Sequence, residues 1–297
     1  MLVLAFAGIV SGLPLIPMTM PRRSFLKTTL AAGATGAFVS PLAAQAGATD
    51  REFYELRCYR LQAGTRLKQD PNAALLDGYL EGALLPALDS LGVRNVGVFT
   101  ELDVDKAAGT RAPKAGSPVW VLIPYASLAT QVQVAAALAQ DAAHQQKGGA
   151  YLQIPKATPA FERIDSWLYL AFKSMPKMEL PAFSRARAPG RVFEMRDYES
   201  HSELAALNKM AMFDDGETQL MRDLAMSPTF FGQGIAGPNL PHLRYMTAGS
   251  DLAAHLAAWA KFGPDPRWQK MRVDPIYKDN TSLNTARFLA PKAYSQM

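Results

Sequence analysis

Two short runs carry the residue types that could do chemistry. Tyr54-Glu55-Leu56-Arg57-Cys58-Tyr59 and Phe193-Glu194-Met195-Arg196-Asp197-Tyr198 both read aromatic, Glu, apolar, Arg, any residue, Tyr. Arg is a planar anchor for a carboxylate or enolate, Glu can accept a proton, and Tyr is a neutral donor. The same residues have a plainer use. Alternate residues of opposite charge on one strand face pair with each other, and such a pair fixes sheet geometry. His242 and Arg244, two residues apart, share a strand face and join the set if that face is inward. His144, His201 and His255 fall on or near helices and are read as solvent-facing.

Other chemistries lack their residues. There is no His pair at helical spacing and no acidic cluster, so no metal site is expected. The single cysteine, Cys58, excludes an intramolecular disulfide and is read as a buried thiol. No Gly-x-Ser-x-Gly, phosphate-loop or dinucleotide fingerprint is present, which argues against hydrolase, NTPase and nicotinamide-enzyme readings.

The elements that must position these residues follow from periodicity. Glu52 to Leu61 alternates as a strand, and Asp70-Pro71 opens a helix carrying Leu75, Leu76, Tyr79, Leu80, Leu84 and Leu88 to a stop at Gly92. Val93 to Leu102 and Pro118 to Tyr125 read as strands around a polar loop, Asp103 to Ser117. A helix from Ser127 to about His144 and a strand from Asp165 to Lys173 close the unit. Strand, helix, strand, strand, helix, strand is a ferredoxin-like pattern. Residues 174–190, with Pro176, Pro181 and Pro189, read as a linker. The order then repeats: a strand Arg191 to Glu199, a helix opened by a Ser200/Glu203 capping box, a turn at Asp214-Asp215-Gly216, strands Pro228 to Ala236 and His242 to Ala248, a helix capped by Ser250, and a strand Leu283 to Leu289. Thr158-Pro159-Ala160-Phe161 matches Asp265-Pro266-Arg267-Trp268 as a helix-starting Pro followed by an aromatic. Two tandem units, 49–173 and 191–297, are the expected organisation.

Residues 1–48 read as an export region. Arg22-Arg23-Ser24-Phe25-Leu26-Lys27 before an uncharged Ala- and Gly-rich run is a twin-arginine signal, which places the mature protein in the periplasm or outside the cell. Pro14 and Pro17 interrupt residues 1–19, which are read as an early start with Met18 or Met20 as the true first residue. Of the formal net charge of +5, Arg22, Arg23 and Lys27 supply three, leaving too little positive charge for nucleic acid or anionic membranes. No stable membrane insertion is expected after cleavage.

Phe230-Phe231-Gly232, Gly237-Pro238-Asn239-Leu240-Pro241, Tyr245-Met246, Ala258-Trp259-Ala260-Lys261-Phe262, Asp265-Pro266-Arg267-Trp268-Gln269-Lys270 and Phe288-Leu289-Ala290-Pro291-Lys292 resemble the NIPSNAP family, in its exported branch with two tandem units. The resemblance implies an α+β fold in which two ferredoxin-like units pack their antiparallel sheets as a dimeric α/β barrel within one chain. It supplies no established catalytic set, and His242 and Arg244 depart from the small or apolar residues expected there. In such a barrel, Leu56 and Met195 are expected to face the helices. Glu55, Arg57, Tyr59, Glu194, Arg196 and Tyr198 would then line one shared cavity with His242 and Arg244, binding a small, partly apolar molecule between the two sheets. The alternative is a non-catalytic binding or scaffolding module. Haem is the one cofactor the superfold suggests, and a homo-oligomer is compatible with the resemblance.

Overall fold

The computed structural model describes residues 50–62 and 71–297. The residues read as an export region, 1–48, and the expected helix-opening Asp70 lie outside them. Nine strands form one antiparallel sheet: β1 (Phe53–Arg60), β2 (Gly97–Asp105), β3 (Thr110–Pro113), β4 (Val119–Tyr125), β5 (Arg163–Ala171), β6 (Val192–Glu199), β7 (Pro228–Ala236), β8 (His242–Gly249) and β9 (Leu283–Pro291). The helices are α1 (Ala73–Tyr79), α2 (Leu85–Ser90), α3 (Leu128–Gln140), α4 (Ala142–Lys147), α5 (Gly149–Leu152), α6 (Ala182–Arg185), α7 (Glu203–Met212), α8 (Thr218–Asp223), α9 (Leu252–Phe262) and α10 (Pro266–Met271).

The strand order is β3-β2-β4-β1-β5-β7-β8-β6-β9, and β2 also pairs with β9. That last pairing closes the sheet into an eight-stranded barrel, with β3 as an added hairpin arm. Each half uses the same order: β5-β1-β4-β2 in the first and β9-β6-β8-β7 in the second. The halves are two ferredoxin-like units joined edge to edge at β5–β7 and β2–β9, so neither pair of sheet edges is left open.

Eight strands enclose a space that side chains can fill, and here they do. Tyr54, Leu56, Cys58, Phe99, Trp120, Leu122, Trp167, Tyr169, Phe193, Met195, Phe230, Met246 and Leu289 form one buried cluster drawn from both halves. Leu56 and Met195 therefore point into the barrel, against expectation. The reason is that both faces of these strands are buried, so alternation divides the residues into two sets without saying which set is outside. Separate apolar layers lie under the helices of each half.

Several local expectations shift. Asn72 caps the first helix, accepting from the Leu75 amide at 3.2 Å, and a π turn at Leu80–Leu84 joins α1 to α2 ahead of Pro86. Ser202 rather than Ser200 caps α7, because the Ser200 hydroxyl donates to the Asn280 carbonyl. Asp251 rather than Ser250 caps α9. The Asp214-Asp215-Gly216 stretch lies within a π turn, Phe213–Glu217. The polar 103–117 stretch is not a loop: β2 runs through Asp105 and turns into β3. Around Pro159 the chain is irregular, whereas Asp265 does cap α10 and Pro266 opens it. Residues 174–190 hold α6 and bring Leu180, with Met178 and Phe183, onto the barrel cluster.

Candidate functional site

The two Glu-Arg-Tyr rows face outward, under separate helix layers, and share no cavity. In the first copy Arg57 grips Glu55 with two hydrogen bonds, Nε to Oε1 at 2.6 Å and Nη2 to Oε2 at 3.0 Å. Tyr125 donates to Oε2 at 3.2 Å and Ser166 to Oε1 at 3.3 Å. Burial alone would raise the Glu55 carboxyl, but the Arg57 hydrogen bonds and charge outweigh it and hold it below the usual range. Tyr59 packs edge-on against Phe161. Both nitrogens of nearby His144 are used, Nε2 with the Tyr79 hydroxyl at 3.1 Å and Nδ1 with the Leu138 carbonyl at 3.0 Å. His144 is buried, contrary to its solvent-facing reading.

The second copy is built differently. Arg196 holds Glu194 by one hydrogen bond, Nη1 to Oε1 at 2.8 Å, and also donates from Nε to the Tyr198 hydroxyl at 3.3 Å. Its guanidinium lies 4.7 Å over the Trp259 ring. The other Glu194 oxygen meets His255 Nε2 at 2.8 Å. His255, read from sequence as exposed, is 1% accessible. Its position four residues past the Asp251 cap, one helical turn on, turns it inward onto the sheet. Burial raises the Glu194 carboxyl less than the His255 hydrogen bond and the Arg196 charge lower it, so it is ionised. The Tyr198 hydroxyl continues the layer to Tyr245 at 2.8 Å. Beyond it Lys209 and Glu217 form a buried pair at 2.9 Å, in which burial outweighs the ammonium and raises the Glu217 carboxyl.

His242 and Arg244 do face inward, at one end of the barrel. Arg244 donates through Nε to Asp197, and Arg287 donates to the other Asp197 oxygen at 2.8 Å. Both guanidinium groups lie on aromatic rings, Arg244 4.6 Å over Trp167 and Arg287 5.1 Å over Trp120. Glu101 completes the layer by accepting from Trp120 Nε1 at 3.0 Å and Lys114 at 2.6 Å. Sequence reading missed Asp197, Arg287, Glu101 and Lys114. Asp197 was visible as the unassigned position of the repeat, opposite in face to its two charged neighbours.

His242 is the one sequence-selected residue that borders a described cleft. The cleft measures about 260 Å³ and lies between α7 and the β7–β8 hairpin, lined by Ala206, Leu207, Met210, Leu240 and Pro241 with Glu203, Gln233 and His242 as its polar groups. His242 Nε2 meets the Tyr169 hydroxyl at 3.1 Å and Nδ1 meets the Asn239 carbonyl at 3.0 Å. Burial, with Arg244 adding to it, lowers the His242 pKa, so the ring is neutral. Gly234 makes room for this wall: a Cβ there would come within 2.9 Å of both His242 Cε1 and Leu240. No group of three or more potential metal ligands occurs among the described residues.

No protein-family model matches the sequence, and no curated protein does. The solved structures similar to this chain include NIPSNAP-like proteins. An uncharacterised NIPSNAP-like domain protein from Burkholderia xenovorans is 17% identical, with 36% of this chain and 90% of that chain covered at a TM-score of 0.33. An anthrone oxidase-like protein is 9% identical over 82% of this chain and 93% of its own, at a TM-score of 0.45. A heme-binding protein from Thermus thermophilus is 10% identical over 82% of this chain and 92% of its own, at a TM-score of 0.38.

Proposed function

We propose that this is an exported α/β-barrel protein that binds a small, partly apolar molecule in the cleft between α7 and the β7–β8 hairpin. One observation carries the reading: an open cleft with an apolar lining and three polar groups, the usual make-up of a small-molecule site, is bordered by His242, whose ring meets the buried Tyr169 hydroxyl behind it. The space between the two half-sheets does not serve, since it is filled by side chains from both halves. Glu203 and Gln233 suit a ligand that offers a hydrogen-bond donor from a flat apolar body.

Binding without catalysis is the form of this reading that the site chemistry favours. Glu55 and Glu194 are each held by their own Arg, and both ring nitrogens of His242 are engaged. Haem does not fit the histidines available. His144 and His242 have both nitrogens engaged, the buried His255 gives one nitrogen to Glu194, and His201 lies exposed outside the described cleft.

Indole is a suitable first probe. Saturation-transfer NMR on the mature protein is expected to show indole binding that Leu207→Trp, which fills the cleft from a half-exposed position, abolishes. Equal signal in both proteins overturns the assignment. Export is tested separately. Replacing Arg22 and Arg23 by Lys is expected to leave the protein in the cytoplasmic fraction, and unchanged recovery from the periplasm would refute the twin-arginine route.

A further inference from the structure

We infer that the molecule taken by the α7 cleft is a primary ammonium ion on a small apolar body, its charge held by the Glu203 carboxylate. The inference rests on the cleft reading above and names the ligand class of that same site.

The charges around the cleft select a cation. Glu203 is the one Asp, Glu, Lys or Arg that lines it. Its carboxylate makes no hydrogen bond or ion pair among the described residues. The interior carboxylates differ in this respect, since Glu55, Glu194, Asp197 and Glu217 each have a cation of their own. The three elements that form the cleft carry two cations, and both are paired: Lys209 of α7 with Glu217, and Arg244 of β8 with Asp197. His242 is neutral, its pKa lowered by burial and then by Arg244. Glu199, at the end of β6, accepts from Asn239 of the hairpin at 3.3 Å and has no ion pair among the described residues. It adds a second negative charge beside the hairpin wall.

An acid in the first turn of a helix is stabilising in itself, but the fold does not require one here. The first half supplies the control: α1 follows β1 as α7 follows β6, and its first turn holds no acid.

The acceptors decide which cation. A carboxylate and an amide carbonyl both take N–H donors. Gln233, half-buried on β7, makes no side-chain hydrogen bond among the described residues, so its carbonyl oxygen is free to turn to the same nitrogen. A quaternary ammonium is held by aromatic faces instead, and no Phe, Tyr or Trp lines this cleft. The walls are aliphatic, from Ala206, Leu207, Met210, Leu240 and Pro241, which suits an apolar body. A volume of about 260 Å³ sits just under the usual range of ligand clefts, so that body is small.

The test compares tryptamine with indole, the same ring system with and without an alkylammonium, a group that is protonated at pH 7. Isothermal titration of the mature protein at low ionic strength is expected to show tryptamine binding about fivefold more tightly, the upper end for an ion pair with an exposed partner. Glu203→Gln, at an exposed position, should bring the two probes to equal affinity, and high salt should shrink the preference in the wild-type protein. Trimethylation of the tryptamine nitrogen keeps the charge and removes every N–H donor of that group, so this compound should bind more weakly than tryptamine. The chain stays net positive even without Arg22, Arg23 and Lys27, so general attraction of cations does not account for a preference. Equal affinities in the wild-type protein, or a preference kept in Glu203→Gln, overturn the ammonium assignment and leave the cleft standing. Undiminished binding of the trimethylated compound overturns the choice of a primary amine. Indole binding that survives Leu207→Trp overturns the cleft itself, so the two readings fail separately.

Discussion

Glu55 and Glu194 occupy equivalent places in the duplicated strand and each pairs with its own Arg, yet their further partners differ, the Tyr125 and Ser166 hydroxyls in one half and His255 in the other. The repeat itself was legible in sequence. Its orientation was not, because the deciding contacts belong to Asp197, a residue with no counterpart charge at Cys58. Asp197 accepts from the buried Arg244 and the partly exposed Arg287, and its loss leaves Arg244 uncompensated. Asp197→Asn is therefore expected to cost about 3 kcal/mol at pH 7, as removal of one partner of a buried ion pair does. The sign with pH is fixed by the direction of its shift. Burial raises the Asp197 carboxyl less than Arg244 and Arg287 lower it, so its stabilisation is full above its ordinary value of 3.8 and is lost as pH falls through the folded value. Urea titrations of both proteins at pH 7 and near pH 3 should show the gap narrowing in acid, and a gap independent of pH would refute this role. The Cys58 thiol makes a second case. Burial, with Asp165 adding to it, pushes it up to about 12, so it should resist a disulfide reagent in the native protein and react at the rate of unfolding. Rapid native labelling would contradict its place in the barrel.

Among the elements, the strands over 228–236 and 242–249 and the helix over 252–262 were readable because turn and capping residues bound each apolar run, Gly237-Pro238-Asn239 between the strands and Ser250-Asp251 before the helix. The β2–β3 hairpin was not, since Asp103, Asp105, Lys106 and Lys114 make its composition that of a loop. The signal was nevertheless there at period two: Leu102 and Val104 alternate with those acids and pack on Val192, Leu252 and Phe288. This arm carries Lys106 to Glu194, so an element of the first half completes the polar layer of the second. Its turn depends on Gly109 at φ +65° with no neighbour within 4 Å, so a substitution there meets backbone strain and no clash. Gly109→Ala is expected to cost roughly 1 kcal/mol, the penalty of a left-handed conformation for a residue with a Cβ. Hydrogen exchange should then rise in Leu102, Val104 and the first turn of α9 together. Exchange confined to the turn would mean that the arm contributes nothing to the layer beneath it.

At the scale of the whole molecule, the barrel is a shared core. Phe99 of the first half packs edge-on against Phe193 of the second at 5.0 Å, and Tyr54 meets Phe230 at 5.2 Å. Ferredoxin-like order was legible because each half repeats it, but closure was not, because pairing of β2 with β9 joins residues nearly two hundred positions apart. Closure makes each half the cover for the other's apolar inner face and for its two open sheet edges. A half alone would expose both, which favours aggregation over independent folding. Phe99→Ala should therefore cost about 3–5 kcal/mol, the penalty for emptying an aromatic from a packed core, and should lower a single transition rather than split it. The stricter test cuts the chain between Arg187 and Ala188, next to the exposed end of α6. Residues 49–187 and 188–297 expressed separately should be insoluble or unfolded, and the two together should recover near-native circular dichroism at a one-to-one ratio. Soluble, cooperatively unfolding halves would show that each unit buries its own inner face by some other means, and the barrel would then be an association of two domains instead of one core.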